Sequence, residues 1–194
     1  HLTVNNPTIL VGGKFDTPVW NAAIFHQSTL NDLFVKGLSF TVGLRLDYEK
    51  MSMKYNSVSD PTDFNFSMKM TLPPPRPSMS IEAKNLLANA GYDGKISDDY
   101  VQLLPKFALQ YEWKKGNNVY ATVSKGYRSG GYNVQMFSDL ISGDLKNSMI
   151  DAIKESEEFS KFAAMIEQYA KKDEVPEVKE ATRYKPEYSW NYEV

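Results

Sequence analysis

The chain has 194 residues, with 22 Lys+Arg against 24 Asp+Glu and no cysteine. A net charge of −2 excludes a general nucleic-acid binder, which needs a basic face to displace counterions. The missing thiols exclude a disulfide framework, a thiolate zinc site and a cysteine nucleophile. The longest purely apolar run, Phe162 to Ile166, falls far short of the roughly 20 residues of a spanning helix. A spanning β-strand hides half its residues from any such count, and 12 Tyr and 10 Phe make that exception worth following.

In chain order, the first predicted strand covers 19–29, and a turn around Asn31-Asp32 and Lys36-Gly37 leads to a second over 38–56. In that second strand Leu38, Phe40, Val42, Leu44, Leu46 and Tyr48 share one face, and Arg45, Asp47 and Glu49 lie on the other. From Met51 the apolar positions change phase, as a bulge or a strand leaving its first environment would produce. Residues 57–98 read as a long loop, with an alternating stretch at Phe64–Met70 that forms a hairpin with Met51 to Asn56. The same loop holds an extended proline segment at Pro73-Pro74-Pro75 and a turn at Tyr92-Asp93-Gly94-Lys95. Strands are predicted at 100–113 and 119–133, joined by the tight Lys114-Lys115-Gly116-Asn117-Asn118 turn.

A second long loop, 134–186, is predicted helical near 148–172, where Phe159, Phe162, Ala163, Ile166, Tyr169 and Ala170 repeat at helical spacing and Ile150 and Ile153 start the stripe. The last strand, 187–194, alternates to the final residue, as a segment of a longer pattern would. The connections therefore run short, long, short, long. In an up-and-down meander this puts every short loop at one end of the sheet and every long loop at the other. The predicted fold is mainly β: an antiparallel up-and-down meander forming a partial transmembrane β-barrel, with a helical insert in one long extracellular loop.

Three segments then carry a resemblance. Leu104-Pro105-Lys106-Phe107-Ala108-Leu109-Gln110-Tyr111, followed by Val119-Tyr120-Ala121-Thr122-Val123-Ser124-Lys125-Gly126-Tyr127-Arg128-Ser129-Gly130-Gly131-Tyr132-Asn133, resembles the barrel of TonB-dependent outer-membrane receptors. The Gly43-Leu44-Arg45 strand is similar to a preceding barrel strand, and Lys185-Pro186-Glu187-Tyr188-Ser189-Trp190-Asn191-Tyr192-Glu193 to the following one. The Gln135-Met136-Phe137-Ser138-Asp139 continuation and the helical insert resemble Bacteroidetes versions.

The resemblance implies a cell outer-membrane location, no enzymatic activity and no cofactor. It implies uptake of a siderophore, cobalamin, glycan or similar nutrient. Its implied partners are outer-membrane lipid, the rest of the barrel and its plug, TonB through an N-terminal part not found here, and a surface lipoprotein; no nucleic acid is among them. Family barrels have about 22 strands, so five predicted strands imply a part of the wall that does not transport by itself.

Within the motif, Gly126, Gly130 and Gly131 suit a strand that bends at a membrane rim, and Tyr120, Tyr127 and Tyr132 are candidates for an interfacial aromatic girdle. Arg128 and Asn133, at the long-loop end of their strand, are the candidate ligand contacts, since a guanidinium grips a carboxylate or sulfate through two parallel bonds. Asp60/Asp63 and Asp98-Asp99 lack calcium-loop spacing, and His26 has no second histidine nearby, so no metal site is expected. Period-2 alternation also fits a soluble β-rich module that binds a glycan or protein through its long loops, which stands as the alternative.

Overall fold

The computed structural model describes residues 1–6, 8–71 and 78–194; the proline segment 73–75 lies outside the described residues. Its strands are β1 (Leu2–Val4), β2 (Val11–Asp16), β3 (Val19–Leu30), β4 (Leu38–Ser59), β5 (Thr62–Met70), β6 (Met79–Ala88), β7 (Gly91–Lys114), β8 (Asn117–Arg128), β9 (Gly131–Tyr132), β10 (Arg183–Tyr184) and β11 (Glu187–Glu193). The helices are α1 (Met136–Glu155), α2 (Ala163–Tyr169) and α3 (Val178–Thr182). The fold is mainly antiparallel β, in keeping with a partial β-barrel.

The chain divides into two compact units. The first comprises His1–Asp16, Lys54–Lys95 and Asn133–Thr182, and the second Thr17–Met53, Ile96–Tyr132 and Arg183–Val194.

The second unit is a sheet in the order β11-β8-β7-β4, with β3 on the far side of β4. The register between β3 and β4 runs unbroken from Val19↔Met51 to Leu30↔Phe40. Between β7 and β8 only Lys115 and Gly116 turn the chain, with Gly116 at φ +83° and a register shift between Glu112 and Lys114, a bulge that the tight turn requires. Residues 129 and 130 separate β8 from β9, and β9 pairs with β10 through Arg183↔Tyr132 and Tyr184↔Gly131. A Cβ on Gly130 would stand 2.6 Å from the Tyr184 carbonyl oxygen, so only glycine allows the two backbones this close.

The first unit has a core of the kind found in water-soluble proteins. The sheet β1-β5-β6 supplies Phe64, Ala83 and Ala88, and the helical segment supplies Ile141, Leu145, Ile153, Phe159 and Ile166. A bulge on β5–β6 is held by Asn85, at φ 57°, whose backbone N–H donates to Asn65 Oδ1 at 2.9 Å. In the same unit β2 pairs with β4 from Val11↔Ser59 to Asp16↔Lys54. Phe15, Tyr55 and Tyr92 surround Phe137 of α1, with ring centroids 4.9, 5.1 and 6.3 Å away.

Several local expectations are overturned. The 57–98 loop holds two strands and the start of a third, and Phe64 pairs with Val4 and Leu86 instead of with the 51–56 stretch. Tyr92-Asp93-Gly94-Lys95 is not a turn but part of β7. Tyr92 packs on Phe137, Asn56 Nδ2 donates to Asp93 Oδ1 at 3.0 Å, and Gly94 leaves room for the Tyr55 hydroxyl, which extends the strand against its turn propensity. The helix begins twelve residues before the expected 148, and breaks at Ser156 (φ −63°, ψ 148°), where the Ser156 hydroxyl donates to the Ile153 carbonyl. The phase change at Met51 is no bulge, because β4 keeps its register to either side of it.

Candidate functional site

Cross-strand partners project from the same face of a sheet, so the register assigns every side chain of the second unit to one of two faces. Ile24 lies opposite Leu46, and His26 opposite Leu44. Phe107, Leu109 and Tyr111 lie opposite Val123, Ala121 and Val119, and Val123 lies opposite Tyr192. This is the apolar face, and it is open: Ile24 is 70% exposed, Leu44 48% and Tyr192 76%.

The other face is polar. Gln27 lies opposite Gly43, Phe25 opposite Arg45, Lys106 opposite Ser124 and Gln110 opposite Tyr120. A Cβ on Gly43 would stand 3.5 Å from Lys106 Cβ, which places Gly43 and the Lys106 side chain on the same face of the sheet. Phe25, Gln27, Arg45, Lys106 and Ser124 line a cavity of about 320 Å³. Farther along, Arg45 Nε donates to Asp47 Oδ1 at 2.6 Å and Ser129 Oγ to Glu49 Oε2 at 2.7 Å. Asp47 and Glu49 are buried, while the apolar side chains that share their sheet are exposed. That is the reverse of a water-soluble protein, and it matches a sheet whose apolar face meets hydrocarbon.

Strand β4 shows where the reversal stops. Its even-numbered residues are exposed or half-buried and its odd-numbered ones mostly buried to the end of the strand, yet their chemistry exchanges near Lys50. Before it, Val42, Leu44 and Leu46 face out and Asp47 and Glu49 in; beyond it, Ser52, Lys54 and Asn56 face out and Met51, Met53 and Tyr55 in. In β7 the exposed odd-numbered residues include Asp93, Lys95, Ser97 and Asp99, then Val101, Leu103, Phe107 and Leu109. Trp20, opposite Lys50, meets Tyr48 edge-on with ring centroids 5.7 Å apart, an aromatic pair placed where the polarity changes. From Phe40 to Tyr48 the apolar stretch matches the roughly 9–11 residues with which a tilted strand crosses a bilayer.

The expected site residues are placed as follows. Arg128 ends β8 opposite Glu187 and is exposed. Asn133 belongs to the first unit, where its N–H donates to the Thr182 carbonyl and its Oδ1 accepts from the Gln135 N–H, turning the chain toward α1. Tyr127 lies opposite Tyr188, and Gly126 opposite Ser189. Two of the tyrosines expected in a girdle make hydrogen bonds: Tyr132 donates to Asp98 Oδ2 at 2.9 Å, and Tyr120, on the polar face, to Glu193 Oε1 at 3.0 Å. Aromatic rings on the apolar face include Trp20, Phe40, Tyr48, Phe107, Tyr111 and Tyr192, with Trp113 6.4 Å from Tyr111. Burial, and then the bond to Asp98, pushes the Tyr132 hydroxyl pKa well above its ordinary value; Tyr92 is raised likewise by burial and by Asp144.

Sequence reasoning missed the Phe25–Lys106 cavity, whose residues come together only through the register. The parity shared with Arg45 is the signal that would have found them. Among the described residues no cluster of His, Cys, Asp and Glu could hold a metal ion, and no helix is long and apolar enough to cross a membrane.

A family model described as TonB-dependent receptor-like, beta-barrel, matches residues 4–194. No curated protein and no solved structure matches the chain.

Proposed function

We infer, from the premise that this chain belongs to the TonB-dependent receptor family as β-barrel sequence, that it is a stretch of wall through which a nutrient is taken up. The family is one of receptors and transporters in the cell outer membrane, and that setting holds for this chain. The exchange of polarity along β4 carries the reading: the apolar face lies in lipid and the polar face lines the lumen.

The ligand is a siderophore, cobalamin, glycan or similar nutrient. Arg128 is the proposed contact to its anionic group, and Asn133 is a separate candidate contact. The Phe25–Lys106 cavity, with Arg45 and Lys106 as its cations, offers the next polar surface along the lumen. Passage needs a plug, TonB and the remaining strands of a barrel of about 22, so the five strands of the second unit's sheet do not transport alone. A surface lipoprotein is a further partner, and the source is of the Bacteroidetes type.

The test is binding of the detergent-solubilised chain to a carboxylate ferric siderophore, to cobalamin and to a sulfated oligosaccharide. One of them binds saturably, and Arg128→Ala weakens it about tenfold or more, as loss of a charged hydrogen-bonding partner does. Failure of all three to bind removes the uptake reading, and unchanged affinity in Arg128→Ala removes that residue from the site.

A further inference from the structure

The chain has eight methionines, and three of them, Met68, Met70 and Met165, border one cavity of about 170 Å³ in the first unit. Strand parity gathers two of the three. Phe66, Met68 and Met70 alternate along β5 and so leave it on one face, opposite Ala83, Ile81 and Met79 of β6. Phe66 meets Phe159 with ring centroids 5.1 Å apart, which turns that face toward the helical segment. Beyond Phe159, α2 brings Met165, the buried Ile166 and the exposed Tyr169 to the same cavity. Lys69, of the opposite parity, starts from the other face of β5. Methionines that only fill space in this chain are shut in: Met51 is 1% exposed and Met53 0%. Met68, Met70 and Met165 are instead half-buried around open space, sheltered yet reachable.

We propose that Met68, Met70 and Met165 bind a soft monovalent cation, Cu(I) or Ag(I), through their thioether sulfurs. Donor chemistry selects the ion. The residues lining the cavity include no carboxylate, imidazole or carboxamide side chain, so Ca²⁺, Mg²⁺ and Zn²⁺ find none of their preferred ligands there. A thioether is soft and polarisable, and such donors select Cu(I). It is also neutral, so the ion keeps its full charge, and the cost of burying that charge is far lower for a monocation than for a dication. Reach is not limiting. Two residues along a strand are about 7 Å apart, and three rotatable bonds in each methionine let both sulfurs meet one ion. Met165 supplies the third sulfur from α2, so the ion ties β5 to a helix far along the chain. The site lies wholly within the first unit and does not depend on where the apolar face of the second unit lies.

The experiment titrates the full detergent-solubilised chain with Cu(I), kept reduced by ascorbate in the absence of oxygen, against a chromogenic Cu(I) chelator, and separately with Ag(I). Both ions bind saturably, and X-ray absorption shows sulfur as the main neighbour of the bound copper. Met68→Leu/Met70→Leu/Met165→Leu raises Kd on the order of 100-fold, and Met165→Leu alone about tenfold. Leucine conserves volume and apolar packing, so the far-UV circular dichroism of these variants stays that of the parent. Met136→Leu/Met149→Leu, which changes two methionines elsewhere in the same unit, leaves Kd where it was. An unchanged Kd in the triple variant overturns the proposal, as does an equal loss in the Met136/Met149 pair, which would mean adventitious thioether binding. A copper shell of nitrogen and oxygen, or Zn²⁺ competing at equal affinity, overturns it too. If the triple variant does not fold, Met165→Leu decides: an unchanged Kd there removes the three-sulfur site.

Discussion

Leu44 and Gln27 differ less in their distance from one another than in what each meets. Leu44 sits in the middle of the apolar stretch, and Gln27 lies opposite Gly43 on the polar face. An arginine facing lipid near the midplane costs roughly 2–4 kcal/mol, whereas one facing a wet lumen costs little. Leu44→Arg is therefore expected to destabilise the lipid-refolded chain by that amount and Gln27→Arg by under about 1 kcal/mol, as read from urea unfolding in vesicles. Equal losses would refute the assignment of faces. The same logic explains why Asp47 and Glu49 are tolerated as buried carboxylates: Arg45 and Ser129 supply donors on a face that does not meet hydrocarbon.

Among the elements, α1 depends most on a single side chain. Phe137 is 2% exposed and touches three aromatic rings from β2, β4 and β7. Phe137→Ala is expected to cost about 3–5 kcal/mol. Hydrogen exchange should show the loss in the amides of 136–155 while those of 38–48 keep their protection; a uniform loss would mean that the two units open as one. The same helix shows where sequence reading reached its limit. Strand 38–48 was legible because six apolar residues alternate without a break. The start of α1 was not, although Phe137, Leu140, Ile141 and Leu145 repeat at helical spacing, because Gln135 makes no side-chain cap and Gly143 interrupts the run. β5 showed its alternation at Phe64–Met70, but its pairing with β6 was hidden for another reason. That pairing depends on a bulge at Asn85 and on packing against helices far along the chain, neither of which leaves a periodic trace. Arg128 and Asn133 were proposed from their place at the end of a motif, whereas the Phe25–Lys106 cavity required a register that no single strand contains.

For the molecule as a whole, the exchange of polarity makes a depth prediction. Spin labels at Val42, Leu44 and Leu46 should collide with oxygen, and labels at Ser52, Lys54 and Asn56 with a water-soluble nickel chelate, crossing over between Tyr48 and Ser52. A profile with no crossover would return the chain to the soluble β-rich alternative. The family assignment and this profile are independent, since one is drawn from sequence similarity over 4–194 and the other from exposure along one strand.

Because strand parity is kept through Lys50, sliding β4 by two residues toward the cell interior would leave every face correct and still immerse Lys50 in hydrocarbon. Sliding it outward would lift the Trp20–Tyr48 pair into water. The strand thus fixes its own elevation, and in a membrane of the wrong thickness the lipid must stretch or compress around it.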